Sequence, residues 1–177
     1  MLILPGVAGL LQHKNNIKNN INLYRPKKCQ CCSNAKLWFH GFRYRKPDRS
    51  GGSGSLNPVP IPRFICTKCK KTVSVLPECI APLRWFMWKK QQEVILLSLS
   101  GMKIRTIAKQ VIPSRSTISR WMLWVQDRFR KHKDAICNYF HNFGLTNNYE
   151  DFWNACFRYI SLSKAMYLCY ASGVNVP

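Results

Sequence analysis

The sequence predicts an α+β protein in which a small β ribbon precedes an all-helical domain. Three observations lead there. Two C-x-x-C pairs, Cys29–Cys32 and Cys66–Cys69, flank segments rich in aromatic and β-branched residues. Between them, Ser50-Gly-Gly-Ser-Gly-Ser55 and then Asn57-Pro58-Val59-Pro60 read as a loop inside one module. From Leu83 onward the apolar period becomes helical.

Each element follows from local pattern. Residues 36–46, 61–66 and 72–76 suit short strands, and Thr72-Val73-Ser74-Val75 alternates as a half-buried strand does. Leu83–Leu99, Lys103–Val111 and Ser114–Lys131 are the predicted helices, with a further one across Glu150–Leu168. The apolar run Met1–Leu11 is too short to span a bilayer, and its first cation, Lys14, lies behind it, so neither a membrane span nor a secretory signal is expected.

Composition bounds the partner. The chain has 177 residues, and 46% hydrophobic content with six Trp excludes a disordered basic tail. Its 28 Lys+Arg against 7 Asp+Glu give a net charge of +21, which draws nucleic acid first and an anionic membrane surface second. Residues 1–28 carry five cations and no acid, whereas 142–177 carry two of each. That shift near Phe143–Asn148 completes four expected regions. They are a flexible N-terminal extension over 1–24, a ribbon over 25–81 with its Gly/Ser loop at 50–60, a helical domain over 82–141, and a helical tail over 142–177. The tail reads as a dimerising helix or the remnant of a longer protein.

The cysteines carry the strongest signal. A C-x-x-C turn presents two thiolates on one side of a tetrahedron, and two such turns close a structural four-cysteine site with no position left for catalysis. Cys29, Cys32, Cys66 and Cys69, the inner pair separated by 33 residues, are therefore expected to hold Zn²⁺. Iron in the same site and a redox dithiol at Cys29 and Cys32 are the alternatives, and Cys31 competes with Cys29. Lys27, Lys28, Lys68, Lys70 and Lys71 would offset the thiolate charge. Neither second cysteine is followed by Gly; Ser33 and Lys70 stand there. Cys79, Cys137, Cys156 and Cys169 read as buried thiols in a reducing cytoplasm, and His40 as a surface or half-buried side chain.

The second signal is a helix-turn-helix. Ile104, Ile107, Ala108 and Val111 form one apolar face, and Pro113 breaks the chain. Ser114 then caps a helix whose Ile118, Trp121, Met122 and Val125 would pack back on the first. Arg115, Ser116, Thr117, Ser119 and Arg120 remain outward, side chains suited to base edges and phosphates in a major groove. Lys103 and Arg105 on the first helix, and Arg128, Arg130 and Lys131 extending the second, are candidate phosphate contacts. An ordinary helical hairpin with a solvated face is the competing reading. The aromatic stretch Leu83–Trp88 suits core packing better than base stacking.

Together these parts resemble the N-terminal zinc-ribbon and helix-turn-helix region of bacterial insertion-sequence transposases. The resemblance rests on the basic C-x-x-C ribbon, Ile80-Ala-Pro-Leu-Arg-Trp-Phe86, Thr106-Ile-Ala108 and Ser116-Thr-Ile-Ser-Arg-Trp121, and covers about residues 25–135. It implies metal ligation by Cys29, Cys32, Cys66 and Cys69 and DNA reading by Arg115, Ser116, Thr117, Ser119 and Arg120. It also implies binding to duplex DNA at terminal inverted repeats in the bacterial cytoplasm, in a homodimer or beside a separate catalytic transposase subunit. Strand-transfer chemistry is not expected. Only the carboxylates Asp48, Glu78, Glu93, Asp127, Asp134, Glu150 and Asp151 are available. A two-metal triad needs an α/β domain for which the largely helical residues 142–177 leave no room, and the adjacent Glu150 and Asp151 read as helix N-terminal charges. A helix-turn-helix transcription regulator and an RNA-associated basic zinc-ribbon protein are the other functions compatible with these parts.

Overall fold

The structure is a computed structural model that describes residues 1–46, 57–82 and 86–176. It is an α+β protein of two compact units, Met1–Trp85 and Phe86–Pro177.

The first unit is built on a four-stranded sheet of order β1-β4-β3-β2, with β1 Leu2–Leu4, β2 Leu37–Arg45, β3 Val59–Cys66 and β4 Thr72–Pro77. The three predicted strands are all present, each within a few residues of its expected bounds. Strands β2 and β3 pair antiparallel from Leu37↔Cys66 to Arg45↔Val59, and β3 pairs antiparallel with β4. Of the loop expected at 50–60, the Gly/Ser run lies outside the described residues, while Val59 and Pro60 already belong to β3.

Residues 1–24 are not a flexible extension. Strand β1 pairs in parallel with β4 in the register Leu2↔Val75, and helix α1, Leu10–Asn19, packs on β3. A 3-10 turn over Ile21–Tyr24 then buries Tyr24 in the core with Leu37, Phe64 and Val75. Two buried polar groups hold this segment. Nε2 of His13 donates to the Pro60 carbonyl at 2.8 Å, and its Nδ1 accepts from the Tyr24 hydroxyl at 2.6 Å, an assignment that satisfies both bonds. Burial lowers the His13 pKa, so the neutral ring is the form that fits. Glu78, also buried, accepts from the Gly6 amide at 2.9 Å.

The second unit is helical: α2 Trp88–Leu99, α3 Ile104–Gln110, α4 Arg115–Asp127, α5 Phe129–Cys137, α6 Tyr149–Tyr159 and α7 Leu162–Ala171. Helix α2 starts five residues later than expected, and 83–85 lie outside the described residues. Phe86 and Trp88 are buried, as the core-packing reading of that stretch requires. The helix expected over Ser114–Lys131 breaks at Arg128, whose φ of −101° and ψ of 8° leave the helical well. The apolar spacing runs straight through that break, from Val125 to Phe129, His132 and Ile136, and so conceals it. The helix expected across Glu150–Leu168 is two helices, the second capped by the Ser161 hydroxyl accepting from the Lys164 amide.

The tail drawn at 142 is no separate region. Helix α7 packs on α2 and α5, and Phe152, Trp153, Cys156, Leu162, Ala165 and Met166 are fully buried. The Leu162 amide donates to Gln92 Oε1 at 2.8 Å, joining the tail to α2. No helix among the described residues is long and apolar enough to cross a membrane.

Candidate functional site

The sheet brings the two C-x-x-C turns together because Leu37↔Cys66 closes the β2–β3 ladder beside the first turn. The Sγ atoms of Cys29, Cys32, Cys66 and Cys69 all lie within 4.8 Å of one another. Cys29 is 3.6 Å from Cys69 and Cys32 is 3.5 Å from Cys66. A tetrahedral zinc site needs sulfur–sulfur edges of about 3.8 Å, given Zn–S bonds near 2.3 Å. The cluster fits a metal ion of that size with little adjustment. Cys31 is exposed and stands outside the four.

The two turns are copies of one another. Cys29 O accepts from the Ser33 amide at 2.9 Å, and the Cys29 amide donates to Asn34 O at 2.8 Å. Cys66 O accepts from the Lys70 amide at 3.0 Å, and its amide donates to Lys71 O at 3.0 Å. Both require a left-handed residue after the second cysteine, and Ser33 and Lys70 take φ of 56° and 59°. Non-glycine residues at that angle carry strain of about 1–2 kcal/mol. The turn geometry therefore forms without the expected Gly.

Donors surround the sulfurs. The Cys31 amide points to Cys29 Sγ at 3.4 Å, and Asn34 Nδ2 reaches Cys66 Sγ at 3.5 Å. The same Asn34 amide donates to Thr67 Oγ1 and to the Lys36 carbonyl, tying one turn to the other. Sequence reasoning missed Asn34; an amide side chain two residues past a C-x-x-C was the available signal. Hydrogen bonds from Asn34 and the local backbone bring the Cys66 thiol down to about 6, and backbone amides lower Cys29. At Cys69 the Lys71 amide also pulls down, but desolvation and the three neighbouring thiols prevail and push it up to about 12. A hydrogen bond to the Cys31 sulfur, more than any other cause, favours the ammonium form of Lys71 and raises its pKa.

The other cysteines behave as expected of packed thiols. Cys79, Cys156 and Cys169 are buried and pushed up to about 12 by desolvation, and Cys137 is half-buried. His40 is exposed on β2.

In the second unit, four residues link α3 to α4, and Ser114 caps α4 by accepting from the Thr117 amide at 3.4 Å. Ile107 of α3 and Ile118, Trp121, Met122 and Val125 of α4 are buried. Arg115, Ser116 and Arg120 are exposed, and Thr117 and Ser119 half-buried. Arg120 is steadied by Thr117 Oγ1 at 3.3 Å. Lys103 and Arg105 are exposed at the start of α3. Arg128 sits at the break, with Arg130 and Lys131 on α5, so they do not extend the second helix of the pair. Leu123, 56% exposed one turn beyond Ser119 and Arg120, was missed because an apolar residue there counts toward the core pattern.

The fold and cluster define an α+β protein whose sheet unit carries four cysteines placed to hold a metal ion. A family model described as a domain of unknown function, DUF6431, matches residues 29–121, and the chain belongs to that family. The match runs from the first metal-cluster cysteine to Trp121 on α4, and so spans both features. No curated protein and no solved structure matches the chain.

Proposed function

We propose that this protein is a zinc-pinned, sequence-directed binder of duplex DNA, with α3 and α4 as its helix-turn-helix. The observation that carries this reading is the division of α4. Its Ile118, Trp121, Met122 and Val125 are buried, while Arg115, Ser116 and Arg120 face solvent at its N-terminal end. That end is where a recognition helix meets base edges. Leu123 extends the same face with an apolar group of the kind that meets a thymine methyl. Exposed Lys103, Arg105, Arg128, Arg130 and Lys131 would contact phosphates.

Zinc, held by Cys29, Cys32, Cys66 and Cys69, would supply a structural cross-link. Its four thiolates leave no open position for substrate. In the setting that the resemblance to insertion-sequence transposases implies, the sites bound are terminal inverted repeats and the partner is a second copy or a catalytic subunit. The carboxylates support binding over catalysis. Asp151 accepts from Asn148 Nδ2, Glu150 from the Tyr149 hydroxyl, Glu93 pairs with Lys90, and Glu78 is buried on Gly6.

Fluorescence anisotropy against a duplex, at several salt concentrations, tests the assignment. Arg115→Ala or Arg120→Ala should cost about 1–3 kcal/mol on a preferred duplex if each reads a guanine. Affinity for random duplex should fall far less and keep a steep salt dependence. Variants that bind both duplexes as the wild type does would remove α4 from the interface.

A further inference from the structure

Strand β2 lies at one edge of the four-stranded sheet, and its side chains are unusual for an edge. Along it run Trp38, Phe39, Phe42 and Tyr44, with exposures of 64%, 39%, 37% and 66%. Ordinary alternation would put Phe39 and Phe42 on opposite faces. A bulge prevents this. Phe39 pairs with Phe64 and Phe42 with Pro62, so one extra residue is taken up between them, at a point where Gly41 adopts φ of +83°. Phe39, Phe42 and Tyr44 consequently share one face as a row, and Trp38 lies on the other.

The row is braced from below. Phe39 meets Phe42 edge-on at 5.1 Å between ring centroids and the buried Phe64 at 5.9 Å. Arg25 lies over the Phe64 ring at 5.6 Å, fixed by Asn22 and by the Leu37 carbonyl, with guanidinium donors left over. Among the described residues of this unit, 13 Lys and Arg stand against one carboxylate, and that one, Glu78, is buried. Among the described residues, the exposed rings therefore sit in a strongly net-positive field.

We propose that the row Phe39–Phe42–Tyr44 is a stacking platform for single-stranded nucleic acid, with Arg25 and Lys46 meeting its phosphates. Unpaired bases offer the π-faces that a duplex hides, and stacking on protein rings is tolerant of sequence. The charge favours this occupant over a second copy of the chain, because joining two such units would bring together surfaces that each carry a large excess of cations. The site lies on the sheet unit and is independent of the duplex reading by α4.

The test uses the full zinc-loaded chain with labelled oligo-dT and oligo-U, binding read by anisotropy, and a random duplex and phosphatidylserine vesicles as further arms. Tyr44→Leu keeps the apolar bulk but removes the ring, at a position too exposed to threaten folding. It should weaken single-strand binding about tenfold, the loss of one stacked base, and leave duplex binding within about twofold. Tyr44→Phe should bind as the wild type, and Phe42→Leu should add a further loss. Dependence of both oligonucleotides on Tyr44 supports the platform, and their ratio says whether DNA or RNA is preferred. Unchanged oligonucleotide binding in Tyr44→Leu would overturn it. So would a loss seen only on vesicles, or a dimer of the wild type that this variant dissociates. Arg120→Ala changes only the duplex arm, so failure of one reading is separable from failure of the other.

Discussion

The two units stand on different foundations. Of the buried residues that cluster beside the sheet's four cysteines, Tyr24, Cys29, Leu37, Phe64, Cys66 and Val75, two are themselves candidate metal ligands, and Cys32 and Cys69 pack against the same cluster. The helical unit is filled instead by large apolar side chains: Trp88, Ile95, Ile107, Ile118, Phe152 and Trp153. The sheet unit also buries Val59, Ile61, Leu76 and Ile80, but a ligand would couple to its fold through these cysteines, whereas the helical unit has no such cluster among the described residues. The charge follows the same division. The sheet unit is almost free of acids, while the helical unit carries its net positive charge before residue 142 and has a tail whose two cations and two acids cancel.

The largest expected effect breaks that symmetry directly. Removing the metal with a chelator, or Cys66→Ala, should unfold the sheet unit while the helical unit stays folded. Structural zinc supplies on the order of 10 kcal/mol in small modules. Limited proteolysis should then cut within residues 1–82 and spare 86–176, with helical circular dichroism largely kept. A single cooperative loss of both would contradict the comparison.

The converse change lies at Trp153, fully buried against Phe152 and Phe157. Trp153→Ala should cost about 3–5 kcal/mol, read as a lower urea midpoint for helix loss. Zinc content of the native protein should be unaffected.

Next in size is an acid sensitivity. His132 is buried between Trp124 and Trp153, and neither ring nitrogen has a hydrogen-bond partner among the described residues. Desolvation, with the charge of Arg128 adding, lowers its pKa from 6.5 to about 4. Above 6.5 the proton is bound in neither state; between 6.5 and 4 the unfolded chain takes it and the folded one does not. Stability is therefore complete above pH 6.5 and declines as pH falls, by roughly 3 kcal/mol at the lower limit. His132→Leu should flatten that decline in urea melts followed by helical signal. A variant with the wild-type pH slope would place the acid sensitivity elsewhere.

The smallest effect sharpens the knuckles. Ser33→Gly and Lys70→Gly relieve the positive φ at each turn and should each stabilise the zinc-loaded sheet unit by about 0.5–1 kcal/mol in thermal melts. No gain at either position would mean that the loss of backbone entropy on fixing Gly offsets the relieved strain.

What was legible in the sequence tracks how local its cause is. The four cysteines and strands β2 to β4 were readable because spacing and alternation are set within a few residues. The pairing Leu2↔Val75 was not, since a three-residue strand has meaning only once β4 exists. Arg128 broke a helix that periodicity carried onward, because Val125, Phe129 and His132 keep helical spacing across it. The Ser161 cap, by contrast, was present in the sequence as a Ser before an apolar run. The boundary at 142 came from charge, which reports what is exposed; Phe152, Trp153 and Met166 show that the neutral segment is core. The exposed row on β2 was hidden for a related reason. Aromatic content predicted a strand there, but which rings face solvent depends on the bulge at Gly41.

Selection from a random duplex pool, with the zinc-loaded protein at near-physiological salt, tests the central claim most directly. The account predicts enrichment of a defined motif that Arg115→Ala and Arg120→Ala each relax at particular base positions. A pool that stays random, or a motif unchanged in both variants, would contradict sequence reading by α4.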